Sequence, residues 1–257
     1  MKIKVESGKR EGFQFHNSKI SVVGSEGIFH DGHIDLTNGS KPSVSQSVQA
    51  QNNTVINQTS GNVEKTADIK QFESNSPKLK SGQKLQLDLV GLSGELNLGV
   101  AWRFKGAPFE IDLSMFLSNE MGKTEENNFY FYGNKKAPNG SVSLDDVIGN
   151  VDKSYFHTVA GLNLNRIDPS ITKISVTATL YDENKNFGEL ESGYLYFLDK
   201  NGKDYLSYEF INGMTSENAI VICEIYKHNG NWKINGIGRG FFGGLEALCG
   251  NFGIETT

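Results

Sequence analysis

Cysteine and proline are scarce in this sequence. Its 257 residues include two cysteines, Cys223 and Cys249, and five prolines, against 29 glycines. Two thiols are too few for a disulfide scaffold in a chain of this length, so we expect the reduced, buried cysteines of a cytoplasmic protein. The balance of proline and glycine excludes a proline-rich tail and favours strands joined by glycine turns.

Long apolar runs and excess positive charge are also missing. No run approaches the roughly 18 apolar residues of a membrane-spanning helix, and Met1–Val5 alternates lysine with apolar residues rather than forming a signal peptide. The net charge of −5 argues against a broad nucleic-acid-binding face. We therefore expect no membrane span and no nucleic-acid partner, although a peripheral membrane contact stays open.

Signatures of catalysis are absent as well. The sequence contains no G-x-S-x-G, H-E-x-x-H or P-loop motif, so no pairing of a nucleophile with a base is indicated. We therefore predict that the protein is not an enzyme.

The first third of the chain differs in composition from the rest. Residues 1–37 hold short alternating runs, such as Ile20–Val23 and Ile28–Leu36, which predict a small β segment with too little core to be stable alone. Residues 38–79 are rich in Ser, Gln and Asn, which predicts a flexible linker. The spaced valines of this stretch leave open weak strands, a repeat solenoid or an oligomerising stalk.

Residues 80–257 are dense in predicted strands. With 16 Phe and 9 Tyr the chain has the apolar material for a core, and Asn-Gly pairs at 139–140, 201–202 and 229–230 separate the runs. Such pairs favour tight hairpin turns because both residues tolerate a positive φ. We predict antiparallel sheets packed as a sandwich, with one short helix at 244–251. The predicted strands are Lys84–Leu89, Leu96–Phe104, Ile111–Leu117, Phe129–Tyr132, Lys173–Tyr181, Gly193–Leu198, Tyr205–Phe210, Ala219–Lys227 and Trp232–Gly238.

Several of these segments resemble the TerD family in the family's own order. The matching segments are Leu98–Phe104 (LGVAWRF), Phe109–Leu117 (FEIDLSMFL), Phe131–Val142 (FYGNKKAPNGSV), Ile171–Asp182, Asn186–Asp199 and Thr215–Ile254 with its terminal hairpin and glycine turn. The resemblance covers nearly all of 82–257. It implies a mainly β, TerD-like antiparallel sandwich, a link to tellurium resistance and bacterial stress, and calcium binding.

One half of the family's acidic site is kept. Glu110 and Asp112 lie two residues apart in a predicted strand, which places both carboxylates on one face about 7 Å apart. Carboxylate oxygens are the ligands that Ca²⁺ prefers, although solvated strand faces often carry such pairs. The resemblance implies that these two residues are calcium ligands.

The other half departs from the family. Where the family has an acidic loop, this chain has Asp145, Asp146 and Asp152 among apolar residues. With Asn134 and backbone carbonyls, these carboxylates give a degenerate calcium site, since Ca²⁺ takes six to eight oxygens. Arg103 stands where the family commonly has Asp, so an alternative is that Arg103 replaces the ion as the counter-charge for Glu110 and Asp112.

Three hypotheses follow. The first is a non-enzymatic TerD-like stress or tellurium-resistance protein, with protein partners of a Ter-type system and a degenerate Ca²⁺ site. The second is a metal-free interaction or assembly subunit with the N-terminal segment as partner contact. The third is a hydrolytic sandwich using Glu110 and Asp112, although glycosidases place their carboxylates on opposite sides of a bond.

Overall fold

A computed structural model describes residues 76–87, 94–150, 155–198 and 204–256, together with three strands between residues 20 and 35. These three form a separate antiparallel sheet: β1 (Ile20–Val22), β2 (Ser25–His30) and β3 (His33–Asp35). They correspond to two of the predicted N-terminal runs. The predicted linker up to residue 75 lies outside the described residues.

The first layer of the sandwich is a seven-stranded sheet. Its members are β4 (Lys78–Leu79), β6 (Glu95–Phe104), β9 (Val142–Leu144), β10 (Ile148–Asn150), β11 (Tyr155–Asn163), β13 (Leu190–Leu198) and β14 (Asp204–Glu209). The strand order is β10-β11-β6-β13-β14-β4, with β9 also paired to β11. All pairs are antiparallel except β14 with β4, which run parallel.

The second layer is a six-stranded antiparallel sheet. Its members are β5 (Lys84–Gln86), β7 (Ile111–Ser118), β8 (Thr124–Tyr130), β12 (Lys173–Leu180), β15 (Ala219–His228) and β16 (Asn231–Phe241). The order is β5-β16-β15-β12-β7-β8. The β15–β16 hairpin turns at Asn229 and Gly230, both at positive φ, as the Asn-Gly pair predicts.

Alternate side chains of the two sheets fill the space between them. From β6 these include Leu98, Val100 and Trp102, and from β7 they include Ile111 and Met115, all buried in one cluster. Residues one position along each strand point to the outer faces. The predicted β-sandwich is thus confirmed, and its core lies between two packed sheets.

A third layer covers the outer face of the six-stranded sheet. Helix α1 (Gly244–Asn251) packs there through Leu248 and Cys249, with the bounds that the sequence predicts. The ring of Phe116 on β7 is stacked between those of Phe129 and Phe252, with centroid distances of 4.4 and 4.3 Å. The helix is therefore held by an aromatic stack in addition to aliphatic contacts.

Both cysteines are free and buried, as predicted. Burial raises the pKa of the Cys249 thiol to about 12, and it also raises the pKa of Cys223. Neither thiol is therefore ionised near neutral pH, and each packs as a small apolar side chain. Phe242, by contrast, is 68% exposed.

Several strand bounds differ from the prediction, and one long strand was not predicted. Strand β4 lies inside the stretch assigned to the linker, and Leu79 is buried in the core, so the sandwich begins by Lys78. Strand β8 ends at Tyr130, where a turn begins, rather than at Tyr132. Strand β11 was not predicted, because it is apolar on both faces and contains Gly161, which hides the alternation.

Within the described part of the chain, no helix is long and apolar enough to cross a membrane.

Replacing Phe116 by alanine tests the aromatic stack. Because the ring is fully buried between two others, we expect Phe116→Ala to lower the free energy of unfolding by about 3–5 kcal/mol, measured by urea denaturation. Phe242→Ala is the matched control, since the same deletion at an exposed position should cost less than about 0.5 kcal/mol. Equal losses in the two variants would contradict the packing described here.

Candidate functional site

The acidic pair lies at the start of β7. The backbone N–H of Tyr181 donates to the carbonyl of Glu110 (N···O 3.4 Å), and Asp112 is in register with Thr179 on β12. Ile111 and Leu113 point into the core, so Glu110 and Asp112 share the outer side of the six-stranded sheet. One carboxylate oxygen of Glu110 is shielded from solvent. Asp112 therefore lies on β7, and Glu110 immediately precedes that strand on the same side.

The second acidic pair lies on the other sheet. The N–H of Asp145 donates to the carbonyl of Val159 on β11, and the hydroxyl of Thr158 donates to the carbonyl of Asp145, both at 2.9 Å. These bonds fix the loop after β9 against β11. Asp146 forms an ion pair with Lys135. The loop's carboxylates thus already have a cation beside them.

Burial controls the charge of Asp145. The pKa of this carboxyl is raised to about 6, mainly by desolvation; Lys136 lowers it, the neighbouring Asp146 raises it and Lys135 lowers it. Part of the population is therefore protonated at mildly acidic pH. A bound cation would favour the ionised form and lower this pKa.

Asn134 holds a turn between the sheets. Its side-chain amide donates to the carbonyl of Phe129 at 2.8 Å, and its backbone pairs with Phe131. The amide nitrogen is thus committed to the turn, which leaves the side-chain oxygen as the atom able to serve a cation. Asp152, the last predicted ligand, lies outside the described residues.

Arg103 does not compensate the acidic pair. Its neighbours Trp102 and Phe104 point into the core, so Arg103 points to the outer face of the seven-stranded sheet, whereas Asp112 is on the outer face of the six-stranded sheet. Its ionic contact is with Glu191, at 4.0 Å between Nε and Oε2. The alternative in which Arg103 replaces the ion is therefore not supported.

The calcium ligands predicted from the sequence are only partly described, because Asp152 lies outside the described residues. In the regions that the structure describes, no three His, Cys, Asp or Glu side chains come close enough to hold a metal. Ca²⁺ takes six to eight oxygens, more than either acidic pair supplies. The described residues thus fit at most a weak site that completes its shell with water and carbonyls.

The prediction from sequence missed two features. Lys135 is the partner of Asp146, a contact that depends on the crossing between sheets and has no local signal. The outer side of the seven-stranded sheet is also buried: Ala101, Val159 and Leu198 are 2–4% exposed although they point away from the core. The apolar residues on both faces of β11 were the available signal for this burial.

The family model of the TerD domain matches residues 76–252. The chain belongs to the TerD family. The matched range contains nearly all of the segments that carried the resemblance, and it begins close to β4.

Three relatives are named for resistance or stress. The chain is 37% identical to chemical-damaging agent resistance protein B of Clostridium acetobutylicum, over 50% of this chain and 95% of that protein. It is 30% identical to general stress protein 16U of Bacillus subtilis (69% and 97%), and 28% identical to tellurium resistance protein TerD of Serratia marcescens (62% and 88%). A solved TerD homologue from Streptomyces coelicolor is similar at 16% identity and a TM-score of 0.48, over 59% and 92% of the two chains.

The raised pKa of Asp145 predicts a specific pH dependence. The folded chain keeps a proton on Asp145 between about pH 4 and 6 that the unfolded chain has lost, so this group lowers stability as pH rises through that window. Asp145→Asn should raise the free energy of unfolding at pH 7 by about 1 kcal/mol, after allowance for solvent screening. The advantage should shrink below about pH 4.

Urea denaturation at pH 4 and pH 7 measures this difference. Asp168→Asn is a control of opposite sign, because hydrogen bonds from Ser170 lower the pKa of the exposed Asp168. Parallel pH curves for Asp145→Asn and the unaltered chain would show that Asp145 titrates normally.

Proposed function

We propose that this chain is a non-enzymatic binding protein of a bacterial stress-resistance system. The observation that carries the proposal is the TerD domain over 76–252, in a chain similar to proteins named for resistance to tellurium and to chemical damage. Two buried free thiols suit a reducing, cytoplasmic compartment. We expect its binding partners to be other proteins of such a system.

A binding role suits the acidic pair better than hydrolysis does. Asp112 stands on β7 and Glu110 immediately precedes that strand, facing the same side. Glycosidases need two carboxylates on opposite sides of the bond to be cleaved. Neighbouring carboxylates on a rigid strand instead favour a hard cation such as Ca²⁺.

Calcium is the first candidate ligand. Glu110 and Asp112 would supply the carboxylate oxygens, and the small number of described ligands favours an affinity in the millimolar range. The second candidate is a metal-free protein-interaction subunit. In that case the N-terminal segment is the partner contact, and the supporting observation is the ion pair of Asp146 with Lys135, which supplies a counter-charge without a metal.

A thermal-shift titration with Ca²⁺ separates these candidates. At ten times its dissociation constant, Ca²⁺ should add about 1.4 kcal/mol to stability, which is roughly 3–5 °C in melting temperature for a chain of this size. Glu110→Gln combined with Asp112→Asn should abolish the shift, because it removes both charges while keeping the side-chain shapes.

Glu120→Gln combined with Glu125→Gln is the matched control, since both residues are exposed and the change in net charge is the same. The calcium assignment requires that this control keeps the shift. No shift at tens of millimolar Ca²⁺, about ten times the proposed dissociation constant, would remove calcium from the proposal and leave the metal-free subunit.

A further inference from the structure

The outer side of the seven-stranded sheet is an apolar surface that does not belong to the sandwich core. We define the outer patch as Ala101 on β6, His157 and Val159 on β11, and Tyr196 and Leu198 on β13. Their strand neighbours Val100, Phe156, Leu195 and Phe197 point into the core, so the patch points away from it. Ala101, Tyr196 and Leu198 form a cluster of their own, with Tyr194 packed against it.

The outer patch is shielded from water. Val159 is 2% exposed, Ala101 3% and Leu198 4%, and the polar His157 and Tyr196 are each 7% exposed. Side chains on an open sheet face keep much of their exposure, because only the neighbouring strands surround them. A further layer must therefore lie over the patch.

The strand β1 lies against β11, which supplies two residues of the outer patch. The N-terminal sheet is thus positioned to be that layer. The N-terminal sheet must also pack against another surface, because three short strands bury too little apolar surface to be stable alone. Its strand sequences include Ile20, Val22, Ile28, Phe29 and Ile34.

The chain between β3 and β4 is long enough to allow the N-terminal sheet to lie over the outer patch. β3 ends at Asp35, and β4 begins at Lys78 on the far edge of the same sheet. β4 is four strands from β11, a distance of about 19 Å at about 4.8 Å per strand. At about 3.3 Å per residue, the stretch 36–77 is several times longer than this distance requires.

We propose that the N-terminal sheet β1–β3 docks within its own chain on the outer patch and covers it. This proposal goes beyond the proposed function and does not depend on calcium.

The state of His157 is consistent with a covered patch. Burial lowers the pKa of its imidazole to about 4, so the side chain is neutral at physiological pH. A neutral ring can be buried beside Ala101, with which it is in register, at far lower cost than a charged ring.

The test cleaves the otherwise complete chain between the N-terminal sheet and β4. A protease site inserted between Ser60 and Gly61 allows cleavage of the folded protein, followed by gel filtration with mass detection. We expect the N-terminal fragment to elute with the rest of the chain as a one-to-one complex of monomer mass. A fragment that separates at once would overturn the proposal, as would a complex containing two copies of the chain, because the occupant would then be a second molecule.

A patch variant and a matched control locate the contact. Ala101→Lys places a charge in the outer patch and should weaken fragment retention at least about tenfold. Ala107→Lys, the same change at an exposed position, should leave retention unaltered. Should Ala101→Lys fail to fold by circular dichroism, Tyr194→Lys replaces it, because Tyr194 is half-buried at the patch and in register with Glu209.

Normal retention in a folded patch variant would contradict docking at this surface. Loss of retention in the Ala107→Lys control would equally contradict it, since the release would then reflect added charge rather than position.

Discussion

Packing of alternate side chains between two sheets is the interaction on which the rest of this structure depends. Strand β6 supplies one row of the interior and β7 supplies the facing row. Because strand side chains alternate, this packing also decides what is presented on the two outer faces. The acidic pair is on one outer face because its neighbours Ile111 and Leu113 are in the core. The outer patch is on the other because Val100 and Phe197 are in the core.

Neither outer face is left wholly to water. The six-stranded sheet is covered by α1 through the stack of Phe116 with Phe129 and Phe252. The seven-stranded sheet has a second buried cluster around Ala101 and Tyr196. Central strands are therefore apolar on both sides, and their pattern differs from the alternation of a simple two-layer sandwich.

Burial of the central strands on both faces explains which elements could be predicted from the sequence. Strands β7, β12 and β15, and the helix, were predicted within one or two residues at most of their bounds, because local propensity and turn chemistry agree there. Strand β11 was missed because Gly161 and His157 interrupt a run that is buried on both faces. At the candidate site, the sequence placed Glu110 and Asp112 correctly on one side of a strand. It did not predict the pairing of Arg103 with Glu191, since Glu191 sits at an irregularity of β13 that spacing does not reveal.

The short segment between β4 and β5 restricts the sequence where the two layers meet. β4 is an edge strand of the seven-stranded sheet and β5 is an edge strand of the six-stranded sheet. Residues 80–83 therefore connect the two edges. The N–H of Gly82 donates to the carbonyl of Gly236 at 2.7 Å, and a side chain at Gly236 would press on the Lys80 carbonyl. A side chain larger than glycine at position 236 would therefore disturb the connection between the two sheet edges.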